Sequence, residues 1–368
     1  MNPTIFIWAR SRAGLTNKQI AKRLKISEEE INKWESGIST PSYDQMEILA
    51  YDLLNIPLAG LFTDEAPKEL DVRGKFRYLF KSDFDIIEKS VFDVIEKTNY
   101  FQSVIEEIIG IGEKFNLNNI LNSNASDSAL IIKSIIRWDK IKKDNKSPDL
   151  RLEALREALS NIKIYVFKDA YKSEIISGFC LPSETAPVIS INNSTTGNRQ
   201  IFTLLHELTH VFLGTPSIEF KDQGNIKNLD KNKRSEEIFC NKVASEILVP
   251  FSELERLNLR RSDITAEKYQ ELADYFGVSR HVISIKLSEM GLILGTENET
   301  NLINWNLEFR KAARSNGTGN YYYNKRLYLG KSYISLIVKN YIEGKLDKNE
   351  AARNLKVKYE NFDRLIGA

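Results

Sequence analysis

The chain has 368 residues, 42% of them apolar, with 52 Lys plus Arg against 50 Asp plus Glu; this is room for two or three cores and no bias toward disorder. No apolar run approaches a bilayer span, and the first residues lack the apolar stretch and cleavage pattern of a secretion signal, so a cytoplasmic protein with no membrane partner is expected. Two cysteines, Cys180 and Cys240, make no disulfide framework and are expected to be reduced and buried.

Residues 1–65 read as four short helices, at 5–13, 17–24, 28–35 and 43–54. Gly14 ends the first, Thr16 and Ser27 are placed to cap the second and third, Glu30 sits at the capping-box position, and Gly37 and Pro41 break the chain before the fourth. Short helices joined by tight turns suit a helix-turn-helix module. Residues 66–160 are charged, with helical periodicity over 84–111 and 126–141, and read as a helical linker.

The texture changes at 161. Short β-branched or aromatic runs at 162–167, 175–181 and 188–191 read as strands, and 201–213 and 235–249 as apolar helices, so 161–295 is expected to be a sheet-plus-helices unit. Within it, 272–293 has a second helix-turn-helix pattern, with Gly277 at the turn and Ser279 as a cap, or forms a packing element. Residues 296–368 read as a basic, mostly helical region. From Asn301 onward thirteen basic residues face six acidic ones, and Gly-rich 315–319 leads into Tyr321, Tyr322, Tyr323 and, further on, Tyr328. That mixture suits nucleic acid or an acidic protein, or a plain solvated face. A third helix-turn-helix pattern falls at 344–362. The expected fold class is therefore α+β: an all-α N-terminal module, a helical linker, the sheet-bearing domain and a helical C-terminal region.

Chemistry concentrates at H-E-L-T-H. Of only three histidines, His206 and His210 lie four apart with Glu207 between them, and on a helix that spacing puts both imidazoles on one face. Two imidazoles and a carboxylate are a catalytic zinc ligand set that leaves a fourth position for water, for which Glu207 is the candidate general base. The third ligand is sought in the following helix, where Glu236, Glu237 and Glu246 compete. Glu237 is favoured because Cys240, Asn241, Ala244 and Leu248 on its face let two helices approach. Glu236 stays in competition, its side being lined by Phe239, Val243 and Ile247, whereas Glu246 shares a face with Lys242 and is expected to be solvated.

The run from Ile191 to Gly214, INNSTTGNRQIFTLLHELTHVFLG, and the later EEIFCNKVASEILVP resemble the ImmA/IrrE family of zinc metallopeptidases, with Arg199 at that family's arginine and Glu237, Asn241, Ala244, Leu248 and Pro250 in its downstream pattern. Thr209, Cys240 and Val243 depart from the common residues without removing a metal-binding group. The resemblance implies a thermolysin-like zincin fold, a zinc cofactor held by His206, His210 and Glu237, and Glu207 as the catalytic residue. It also makes 188–191 the candidate edge strand for an extended substrate, and I-S-G-F-C (176–180) a core strand. Its substrate would be a regulatory protein, such as a helix-turn-helix repressor, in a phage, mobile-element, stress or toxin-antitoxin setting.

From Arg10 to Phe62 the chain resembles the XRE-type helix-turn-helix, in AGLTNKQIAKRL, INKWESG and LAYDLLNIPLAGLF. In that family the helix matching 28–35 enters the major groove, which makes Glu28, Glu29, Asn32 and Lys33 candidate DNA contacts, with Lys18 of the preceding helix a candidate for the phosphates. Residues 1–65 carry seven basic and nine acidic residues, and three consecutive glutamates at the reading end oppose a phosphate-lined groove. A DNA partner through 1–65 thus stands beside a homodimer or docking onto another helix-turn-helix protein. A toxin partner belongs to the alternative reading, a DNA-binding regulator or antitoxin whose metal site is regulatory or structural.

Overall fold

In a computed structural model, residues 1–13, 15–54, 56, 58–64, 89–110, 121, 124–173, 176–220, 231–297, 300, 301, 305 and 320–367 are described. Gly14, residues 66–88 of the expected linker, Ile175 and the Gly-rich stretch 315–319 lie outside them. The chain divides into two compact units, Met1–Lys97 and Thr98–Ala368. Among the described residues no helix is long and apolar enough to cross a membrane.

The first unit is all-α. Helix α1 (Pro3–Arg12) starts at Asn2, whose side chain accepts from Thr4 N, and α2 (Asn17–Leu24) starts at a capping box between Thr16 and Gln19. Lys25, in the left-handed region at φ 56°, ends α2 and turns the chain into α3 (Glu28–Glu35), capped by Ser27. Glu30 does not complete that box: its carboxylate accepts from the Ser39 hydroxyl at 2.7 Å and meets Lys33 at 3.4 Å. Helix α4 (Tyr43–Glu47), capped by Ser42, widens into a π-helical turn over Ile48–Leu53. Ile20 and Ala21 of α2, Ile31 and Trp34 of α3, and Phe6 of α1 close one apolar core, with Trp34 edge-on to Phe6 at 6.2 Å. Arg10 pairs with Glu35 at 2.6 Å and ties α1 to α3.

The second unit starts within α5 (Lys89–Ile109) and runs through α6 (Ala125–Ile136), α7 (Trp138–Asp144) and α8 (Pro148–Ser160). The sheet follows, as β1 (Tyr165–Asp169), β2 (Ile176–Leu181) and β3 (Val188–Asn192), then helix α9 (Gly197–Leu213), strand β4 (Ser217–Phe220) and helix α10 (Lys231–Leu248). The sheet is mixed, in the order β1-β3-β2-β4: β1 runs parallel to β3, while β2 runs antiparallel to both β3 and β4. Together with the helical first unit this is an α+β chain.

One strand expectation is corrected. Residues 188–191 are not an edge, because β3 is hydrogen-bonded on both sides, to β1 and to β2, and every one of its residues is buried. A strand paired on both sides has no backbone groups left for a substrate. The outer strand beside the site helix is β4, which the sequence reading missed. I-S-G-F-C does lie in a fully buried strand, β2.

Apolar residues of α6, α7 and α8, including Ile132, Trp138, Leu152 and Leu155, share one core with Ile201, Leu204 and Leu208 of α9 and with Val243, Ala244 and Ile247 of α10. The helices read as a linker thus shelve the site helix. Beyond α11 (Phe251–Glu255), helices α12 (Ala266–Phe276) and α13 (Arg280–Glu289) do form a helix-turn-helix, with Gly277 at φ 69° in the turn and Ser279 as cap. Its second helix buries His281, Val282, Ile283 and Leu287, so it is a packing element with no face to lay in a groove. In the tail, α14 (Tyr321–Leu329) lies along β1, and the buried Arg156 guanidinium donates to the carbonyls of Val166, Leu327 and Tyr328. Helices α15 (Lys331–Ile342), α16 (Lys348–Asn354) and α17 (Phe362–Ile366) complete it, anchored by Tyr333 among Phe101 and Phe167.

Candidate metal centre and helix-turn-helix surface

Helix α9 owes its position to small residues as much as to its apolar stripe. Gly178 of β2 faces it so closely that a Cβ there would stand 2.5 Å from Thr203 Cγ2 and 2.9 Å from the Ser190 carbonyl. Thr196 caps its start and Gly214, at φ 70°, its end. Nearly the whole helix is buried, His206, Glu207 and His210 completely.

Glu237 reaches both imidazoles from α10. One of its oxygens lies 3.2 Å from His206 Nε2 and the other 3.3 Å from His210 Nε2, and the ligand atoms of all three residues fall within 4.8 Å of one another. Neither Nε2 makes a directed hydrogen bond, although both are buried. Buried polar atoms are rarely left so, and two imidazole nitrogens beside one carboxylate are the donor set a divalent metal takes. Burial opposes charge on Glu237, but the two histidines beside it outweigh burial and draw its carboxyl far below the usual range.

The remaining ring nitrogens have partners of their own. His206 Nδ1 lies 3.1 Å from Asn241 Oδ1, while His210 Nδ1 lies 3.0 Å from Glu236 Oε1 and 3.2 Å from Thr215 Oγ1. The two competing glutamates thus fall on opposite sides of His210. Glu246 is elsewhere and is not solvated as expected: it pairs with the buried Lys286 of α13 at 2.5 Å.

Glu207 Oε2 accepts a short hydrogen bond from the Ser217 hydroxyl of β4, and its Oε1 has no hydrogen-bond partner. Burial pushes its carboxyl up, against the lowering pull of His206 and His210. Further along α9, Arg199 donates to Ser177 Oγ of β2 and to Glu219 Oε1 of β4, and comes within 3.4 Å of His281 Nδ1 on α13. Burial, followed by the Arg199 charge, pushes the His281 pKa down to about 3, so the third histidine is a neutral packing residue. Cys180 and Cys240 are free and buried. Burial pushes the Cys240 thiol up to about 11 and that of Cys180 well above its ordinary value, so neither is a ready nucleophile.

Ser217, Glu219 and Thr215 escaped the sequence reading. The alternation of S-I-E-F is a strand signal that could have found the first two, since residues two apart on a strand share a face.

In the first unit Lys18 opens α2 and Glu28 and Glu29 open α3, while Asn32 and Lys33 lie one turn further along it, and all five are exposed. Asn32 is partly engaged, its oxygen accepting from Asn17 Nδ2 at 2.8 Å. The basic surface sits on α2, where Lys18, Lys22 and Arg23 are exposed, and the acidic one at the start of α3.

The chain thus joins a helix-turn-helix module to a sheet-bearing domain that brings His206, His210 and Glu237 together as a candidate metal site. Residues 7–61 match the family model described as Helix-turn-helix, and residues 159–288 match the one described as IrrE N-terminal-like domain. The chain therefore carries an XRE-type helix-turn-helix domain followed by an ImmA/IrrE-like metallopeptidase domain. No curated protein and no solved structure matches it.

Proposed function

We propose that the chain is a zinc-dependent endopeptidase that cuts a regulatory protein, with His206, His210 and Glu237 as metal ligands and Glu207 as the catalytic residue. The observation that carries this reading is the convergence of two unbonded, buried imidazole nitrogens on the two oxygens of Glu237. When bound there, zinc supplies a Lewis acid that lowers the pKa of water to about 7.

The protein's own groups do the rest. Ser217 pins one oxygen of Glu207, which leaves the other to take a proton from the attacking water and to return it to the leaving amine. The outer strand β4 runs beside this carboxylate and is suited to pair with an extended substrate backbone. A helix-turn-helix repressor is the substrate class this reading favours, with the N-terminal module and the basic tail recruiting the target.

The match of 7–61 to a helix-turn-helix model favours a second reading, a DNA-binding regulator, or an antitoxin if a toxin accompanies it, whose metal site is regulatory or structural. Terminal-peptide profiling of cells expressing the wild type or Glu207→Gln separates the two. The peptidase reading expects new protein termini, in one or a few regulatory proteins, with the wild type only, and zinc retained by both. Identical profiles with an unchanged cellular effect would leave the regulator.

A further inference from the structure

We propose that Glu236 and Thr215 form a positioning pair that sets the tautomer and ring orientation of His210, making it the more firmly fixed of the two imidazole ligands. The inference rests on the metal-site reading above and adds a role for two residues outside the ligand set.

Both residues reach His210 through local structure. Gly214 turns the chain back at the end of α9, where Thr215 N donates to the His210 carbonyl at 3.0 Å, and this fold-back brings the Thr215 hydroxyl to the ring. Glu236 and Glu237 are consecutive on α10 and point about 100° apart around it. One carboxylate meets both Nε2 atoms, and the other passes round to the far nitrogen of His210.

The protons follow from the chemistry of the partners. The Thr215 hydroxyl donates to Glu236 Oε1 at 2.7 Å, so its proton is spent and only its lone pairs face Nδ1. The same Glu236 oxygen, an acceptor, lies 3.0 Å from Nδ1. Two acceptors at one ring nitrogen require that nitrogen to carry the hydrogen, which leaves Nε2 as a bare lone pair on the side of Glu237. His206 has a weaker guide, since Asn241 is neutral and a carboxamide presents either its oxygen or its amino group. A carboxylate behind a ligating imidazole also makes it a better donor, and losing such a partner weakens metal binding about 10- to 100-fold.

The test is zinc affinity of the purified full-length chain, by competition with a chromogenic chelator, together with the visible spectrum of the cobalt(II)-loaded protein. Glu236→Ala is expected to weaken zinc binding about 10- to 100-fold and to shift or broaden the cobalt bands. Thr215→Val and Asn241→Ala are expected to weaken it less. Glu236→Gln, isosteric and still able to accept from Nδ1, is expected to fall between Glu236→Ala and the wild type. Unfolding curves like those of the wild type show that the variants are folded. If Glu236→Ala and Glu236→Gln both bind zinc as the wild type does and give its cobalt spectrum, the positioning pair is wrong while the metal site stands. An Asn241→Ala loss equal to or larger than that of Glu236→Ala overturns the asymmetry, and a wild type that binds no zinc overturns the metal site and this inference together.

Discussion

The two units place their candidate functional groups in opposite surroundings. In the second, His206, Glu207 and His210 are wholly buried, and each meets neighbours that constrain what it can do. In the first, Lys18, Glu28, Glu29, Asn32 and Lys33 are exposed, and among the described residues their side chains meet only Asn17, at Asn32, and Glu30, at Lys33. Burial makes chemistry readable, because an unsatisfied nitrogen in a core needs an explanation. Exposure does not, because a charged side chain in water is at rest with or without a ligand.

The comparison breaks most severely if the units cannot be uncoupled. Trp34→Ala removes the largest side chain from the first core and should cost about 3–5 kcal/mol there. Circular dichroism and limited proteolysis should show residues 1–64 unfolding while the second unit keeps its zinc affinity; concerted loss of both would show that the units are one cooperative body. Gly178→Val tests the buried side. The added carbons meet Thr203 and the Ser190 carbonyl, so denaturant unfolding should show about 1–3 kcal/mol of destabilisation, with weaker metal binding as α9 is pushed off the sheet. Wild-type stability would mean that the contact is not tight.

The smallest effect is expected on the exposed side. Replacing both Glu28 and Glu29 by Lys, judged by gel shift with duplex DNA at two salt concentrations, should raise affinity by about tenfold or more and steepen the salt dependence. Unchanged binding would place the reading end of α3 away from the phosphates, and lost binding would show that the glutamates themselves contact bases.

Much of this was legible in the sequence because it is local. Thr16, Ser27, Ser279 and Gly277 mark helix ends by their own conformational preferences, and each does so in the structure. Four-residue spacing likewise put His206 and His210 on one face before any fold was known. What stayed hidden depends on distant partners. The order of strands cannot be read from a strand, although the unbroken burial of β3 is what a central strand requires. The choice between Glu236 and Glu237 stayed open because α10 packs against α6 as well as α9, so both of its sides look apolar. The solvated appearance of Glu246 failed for the same reason, since Lys286 arrives from forty residues away.

Metal analysis of the purified chain beside its His206→Ala variant bears most directly on the site. The wild type should carry about one zinc per chain and the variant almost none, at equal thermal stability of the first unit. Equal metal in both proteins, or a wild type that takes up none when zinc is supplied, would contradict it.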